Sequence, residues 1–141
     1  MGNRGTKRKP RGRRYLELAH ARIYDFNDAN AKSAETLSRY RVICQEFPVM
    51  VLSNGLSQAV AFAMSKMGNK EGLPAAYTRL LEDVAAILDL PDKDSSATPI
   101  DTLKGISEAD TPTYMLYTQN VLSAWVYFKR LSKSLLDVEE Q

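Results

Sequence analysis

From Tyr117 to Val138, apolar side chains return at steps of four and three residues: Tyr117, Val121, Ala124, Phe128, Leu131, Leu135 and Val138. Only an α-helix gathers that spacing onto one face, and the seam runs for about six turns. A helix this long with one apolar face cannot stand alone in water, so the rest of the chain must supply helices to cover it. Thr111 as cap and Pro112 at the first helical position mark its start.

The preceding residues read the same way. A first helix is expected from about Tyr15 into the twenties, with Leu16, Ala19, Ile23 and Phe26 inward. A second, from about Ser33 to Glu46, places Leu37, Tyr40, Cys44 and Phe47 inward, and Pro48, which lacks an amide donor, is expected to break it. The most apolar stretch, Val49 to Met67, divides at Asn54-Gly55 into two helical pieces. The second piece carries Leu56, Ala59, Val60, Ala63, Met64 and Met67, and stops at Gly68-Asn69. Pro74 opens a further helix through Tyr77, Leu80, Leu81, Val84, Ile87 and Leu88, closed by Pro91. Residues 89–111 read as a partly ordered loop in which Ile100, Leu103 and Ile106 pin a short helical turn. No internal repeat points to a solenoid. The expected fold is all-α: a compact single-domain bundle of five to six helices over residues 15–141, with a long C-terminal helix. A chain of 141 residues is long enough for one such core.

Charge is unevenly placed. The chain has 19 basic and 17 acidic residues, a net charge of +2. Yet Arg4, Lys7, Arg8, Lys9, Arg11, Arg13 and Arg14 precede every acid, so residues 1–14 form a basic tail of +7 on a body of −5. An arm of this kind, expected to be flexible, suits contact with a polyanion, because each phosphate neutralised releases counterions. No apolar run approaches the roughly 20 residues of a membrane span, and a cytoplasmic location is expected.

The residues that usually carry catalysis are sparse. His20 is the one histidine and Cys44 the one cysteine, so neither a disulfide framework nor a multi-thiolate metal site forms within the chain. Glu82-Asp83 and Glu139-Glu140 are adjacent acids that read as solvated faces, and no phosphate-binding loop is present. No catalytic residue, metal or cofactor is expected. Surface cations remain: Lys129, Arg130 and Lys133 within one turn of each other near Tyr127, and Arg22, Lys66, Lys70 and Arg79 at or beside helix ends. The cations of the last helix also suit its carboxyl-terminal dipole. Trp125, Tyr127 and Tyr114 can stack on bases, although in a bundle such rings more often fill the core.

Two segments carry a family likeness. Leu52-Ser53-Asn54-Gly55-Leu56 followed by Ala61-Phe62-Ala63-Met64-Ser65-Lys66, and the closing run Tyr114 to Leu135 with its tryptophan and its Lys129-Arg130 pair, resemble the small subunit of type III-B CRISPR (Cmr) effector complexes. Together with the helix from Tyr77 to Leu90, the resemblance covers about Tyr15 to Glu140. It implies a non-catalytic helical scaffold in an RNA-guided antiviral ribonucleoprotein. Its partners would be target RNA, guide crRNA, the backbone and large polymerase-like subunits, and further copies of itself. By position it implies Lys66, Lys129 and Arg130 as RNA contacts. Arg79 and Lys133 join them on charge alone, and Arg11, Arg13 and Arg14 by membership of the basic tail. The long basic leader departs from the shorter start associated with the family. The competing reading is a helical protein-interaction module whose basic tail docks an acidic partner, with no nucleic acid.

Overall fold

The computed structural model describes residues 11–68, 73–88 and 98–136. Six helices account for almost all of them, with no strand among the described residues: α1 (Arg11–Ala29), α2 (Ala34–Asn54), α3 (Leu56–Met67), α4 (Pro74–Leu88), α5 (Pro99–Ser107) and α6 (Thr111–Leu135). The expected all-α bundle with a long last helix is what forms. The extremes of the basic tail, Lys70, Pro91, Val138 and the Glu139-Glu140 pair lie outside the described residues.

Helix α6 is the axis. Val121, Ala124, Trp125 and Phe128 on its seam are fully buried, and Tyr117, Leu131 and Leu135 pack half-buried against the core. Its cap is Asp110 rather than Thr111: the carboxylate accepts the Thr113 amide at 2.9 Å, which leaves Thr111 and Pro112 inside the first turn. Helix α1 makes the most extensive contact with α6. Its described part opens at Arg11, so Arg11 to Arg14, ahead of the start expected near Tyr15, are already helical. Its buried stripe is Tyr15, Ala19, Ile23 and Phe26; Leu16, expected inward, is exposed, because Tyr15 holds the register with Ala19 and the others.

Helix α2 continues through Pro48, against the expected break. A proline inside a helix leaves the carbonyl four residues earlier without its amide partner. That carbonyl belongs to Cys44, and the indole Nε1 of Trp125 donates to it at 2.9 Å. The side chain of α6 thus fills the vacancy that the proline opens in α2, and the helix continues for 21 residues. The two helices run antiparallel. At one end Gln45 donates to Lys129 O at 3.0 Å and Ser132 Oγ at 2.9 Å; at the other, the Tyr114 hydroxyl accepts the Ser57 amide at 3.1 Å.

The expected junction at Asn54-Gly55 is real. Gly55 adopts φ 91°, ψ 157°, a conformation that side chains disfavour, and a Cβ there would also sit 3.3 Å from the Tyr114 hydroxyl. Because glycine offers no capping side chain, that hydroxyl serves as the cap of α3. Thr98 and Asp101 form a reciprocal capping box at the start of α5, which gives the 89–111 region a nine-residue helix where a short turn was expected. Ile106 is buried and Leu103 half-buried, but Ile100 points to solvent.

One feature of the core overturns the reading of the adjacent acids. Glu82 is solvated, whereas Asp83 is fully buried on the same stripe of α4 as Leu80, Val84 and Ile87. Its carboxylate accepts from Arg22 of α1 and from the Tyr40 hydroxyl of α2, and Arg79 Nε lies 3.8 Å away. Burial pushes the Asp83 carboxyl above the usual carboxylate range, while Arg22, Tyr40 and Arg79 pull against that rise. Three helices are tied at this point.

Two outcomes are expected in urea denaturation followed by helicity. Trp125→Phe keeps the ring but strands the Cys44 carbonyl, at a cost of about 1–3 kcal/mol. In a Pro48→Ala background, where the backbone amide returns, most of that loss should vanish; additive effects would separate Trp125 from the proline. Asp83→Ala should cost about 1–3 kcal/mol, because the buried Tyr40 hydroxyl loses its acceptor and Arg22 keeps only the more distant Glu82. An unchanged midpoint would show that the cluster contributes no net stability.

Candidate nucleic-acid interface

The fold brings together two basic groups that the sequence keeps more than a hundred residues apart. A Cβ on Gly12 would lie 3.0 Å from the Tyr127 hydroxyl, so the start of α1 crosses the second half of α6 at close range. For the pair to keep its long contact, α1 must run back along α6. Arg11, Arg13 and Arg14 therefore sit at the end of the bundle that also carries Lys129, Arg130 and Lys133. All six side chains are exposed. Arg13 makes a surface ion pair with Glu17 at 3.6 Å, and the Arg14 guanidinium stands 5.2 Å from the centre of the Tyr15 ring. Neither arrangement withdraws its charge from solvent. Lys133 occupies the last turn of α6, where it also complements the helix dipole.

The other sequence-derived cations are elsewhere. Arg79 is only about one-fifth exposed; it donates to Arg22 O at 3.0 Å, reaches Glu82 at 3.5 Å and lies over the Phe26 ring. Arg22 is committed to Asp83 and lies 3.8 Å from Glu82. Both serve the interior cluster. Lys66, in the last turn of α3, is half-buried with its ammonium 5.2 Å from the centre of the Phe62 ring. It lies across α2 from the basic end, because α2 turns Gln45 to α6 and Ile43, Glu46 and Met50 to α3.

The aromatic candidates divide. Trp125 is fully buried, stacked on Phe128 and tilted against Phe47, which makes it a core residue and not a base platform. The Tyr114 hydroxyl is committed to the start of α3, and the half-buried Tyr127 packs beneath Gly12. Of the nucleophile and base candidates, Cys44 is buried and its thiol is pushed well up by burial and by the neighbouring Asp83 charge. His20 is exposed and stacks on Tyr24 with ring centres 6.2 Å apart. Among the described residues no three metal-ligating side chains converge, and no helix is long and apolar enough to cross a membrane. What the assembled end can do is attract and hold an extended anion through several independent point charges.

Asp83, expected on a solvated face, and Arg22 and Arg79, expected among the surface cations, instead form one interior cluster. The signal was present: Asp83 falls three residues after Leu80 and four before Ile87, on the buried stripe, where an unpaired acid is too costly to persist.

Comparison with known proteins supplies a family. Residues 12–135 match the model of a family described as CRISPR-associated protein (Cas_Cmr5). The chain is 33% identical over 107 residues to a protein named CRISPR system Cmr subunit Cmr5 from Thermus thermophilus, an alignment that covers 76% of this chain and 83% of that relative. The crystal structure of a CRISPR-associated Cmr5 family protein, also from Thermus thermophilus, superposes with a TM-score of 0.70 at 26% identity, over 92% of this chain and 100% of that one.

Proposed function

Since the chain belongs to the Cmr5 family, the small subunits of type III-B CRISPR complexes, we propose that it is a non-catalytic scaffold whose basic end holds the guide–target RNA duplex by its phosphates. The observation that carries the reading is the close pass of Gly12 over Tyr127, which brings Arg11, Arg13 and Arg14 to the end of the bundle that holds the cations of α6. Six exposed positive groups on two rigid helices suit a backbone whose charge is regular and whose sequence varies. Guide crRNA and target RNA are then its nucleic-acid partners. The backbone and large polymerase-like subunits, together with further copies of this chain, are its protein partners, in the cytoplasm. Lys66 contributes from a separate face, while Arg79 supports the interior.

Scaffolding without chemistry agrees with the burial of Cys44 and the stacking of His20 on Tyr24. A helical protein-interaction module remains the competing reading, and the same variants decide between them. Within the assembled complex, K129A/R130A/K133A and R11Q/R13Q/R14Q should each keep full helicity and lower retention of target RNA. Retention measured across a salt series should also lose steepness, by roughly 0.7–0.9 in log–log slope for each phosphate contact removed. Full retention with an unchanged slope in both variants, accompanied by loss of a neighbouring subunit, would assign the basic end to a protein partner.

A further inference from the structure

Helices α2 and α3 leave between them a groove that packing does not fill. One part, of about 240 Å³ and closed on one side by Tyr77 of α4, is lined by Phe47, Met50 and Phe62 together with Arg39, Glu46 and Lys66. It adjoins a more open hollow of about 380 Å³ lined by Met50, Asn54, Gln58 and Phe62. Phe62 and Met50 belong to both hollows, so the two form one trough. Phe62 is 43% exposed, a large ring left at the surface in the middle of it, with the Lys66 ammonium 5.2 Å from its centre as a cation that a bound phosphate would draw off. Gln58, Phe62 and Lys66 follow one another at steps of four residues, which aligns an amide, an aromatic ring and a cation along roughly 12 Å of one face of α3.

We propose that this trough takes unpaired nucleotides of single-stranded RNA. The bases lie against Phe62 and Met50, their edges meet the amides of Asn54 and Gln58 and the carboxylate of Glu46, and their phosphates fall to Lys66 and Arg39. Each part answers a chemical need of that ligand. An exposed ring offers a stacking surface to any base. Side-chain amides both donate and accept, so they match edges of either polarity. The rim carries two cations against one carboxylate, which favours an anionic occupant. A paired RNA helix keeps its bases inside its own stack and presents backbone alone, for which an apolar floor has no use. The inference rests on the reading of RNA as the ligand of this chain. It uses a different face and none of the six residues of the basic end.

The experiment uses the full-length chain at low salt, with a labelled single-stranded oligoribonucleotide of mixed sequence and the fully paired duplex of the same length. F62A should weaken single-strand binding by about five- to a hundredfold, the range for one stacked base, and F62W should restore it. Duplex affinity should change by less than about twofold in both, and ultraviolet cross-links to the single strand should map to α3 in the wild type. K129A/R130A/K133A serves as the separate arm. If it weakens both RNA forms while F62A binds the single strand as the wild type does, the trough is not a nucleotide site and the basic-end reading stands. Unchanged binding in every variant overturns both. Release of a protein subunit from the complex by F62A, with RNA affinity intact, assigns the trough to a peptide and overturns the proposal.

Discussion

The indole of Trp125 on the Cys44 carbonyl decides the course of α2, and through α2 the placement of everything that faces solvent. With Pro48 in the sequence, an unassisted helix bends or ends near Cys44, because one carbonyl would be buried without a donor. Trp125 contributes that donor from the neighbouring helix. It also fills the space beside Phe47 and Phe128 with its ring, so one residue settles a polar and an apolar requirement together. As a result α2 reaches from Gln45, bonded to the basic end of α6, to the Gly55 turn that launches α3. The basic end and the α2/α3 trough are therefore fixed relative to each other by one continuous rod.

Positive charge is divided between two tasks. Arg22 and Arg79 are drawn inward by Asp83, a carboxylate whose burial is tolerable only in company. Arg11, Arg13, Arg14, Lys129, Arg130 and Lys133 stay outside, where their charges remain available to a polyanion. The division follows from which helix stripe each residue occupies. An arginine on the α1 or α4 stripe facing Asp83 becomes part of the frame, and a lysine on the outer stripe of α6 does not.

How much of this the sequence discloses depends on how local the cause is. The apolar stripes of α3, α4 and α6 are legible because neighbours three and four residues apart share one fate, and the Gly55 junction is legible because its backbone demands are local. The continuation through Pro48 is not, since the compensating donor stands 81 residues from Cys44. The Asp83 cluster escapes for the same reason: its partners Tyr40 and Arg22 lie 43 and 61 residues away. For the candidate interface, residue types were readable as cations, but their grouping was not. Nothing near Gly12 announces that the absence of its side chain lets α1 settle over Tyr127.

The continuity of α2 through Pro48 acquires a further meaning in any assembly that repeats this chain. A row of identical units copies each monomer's bend at every step, so a few degrees of play at a proline would accumulate into large angular error over several copies. Trp125 ties the carbonyl at which such a bend would open. In such a row, a side chain that never meets the surface would bear on the angle from one copy to the next.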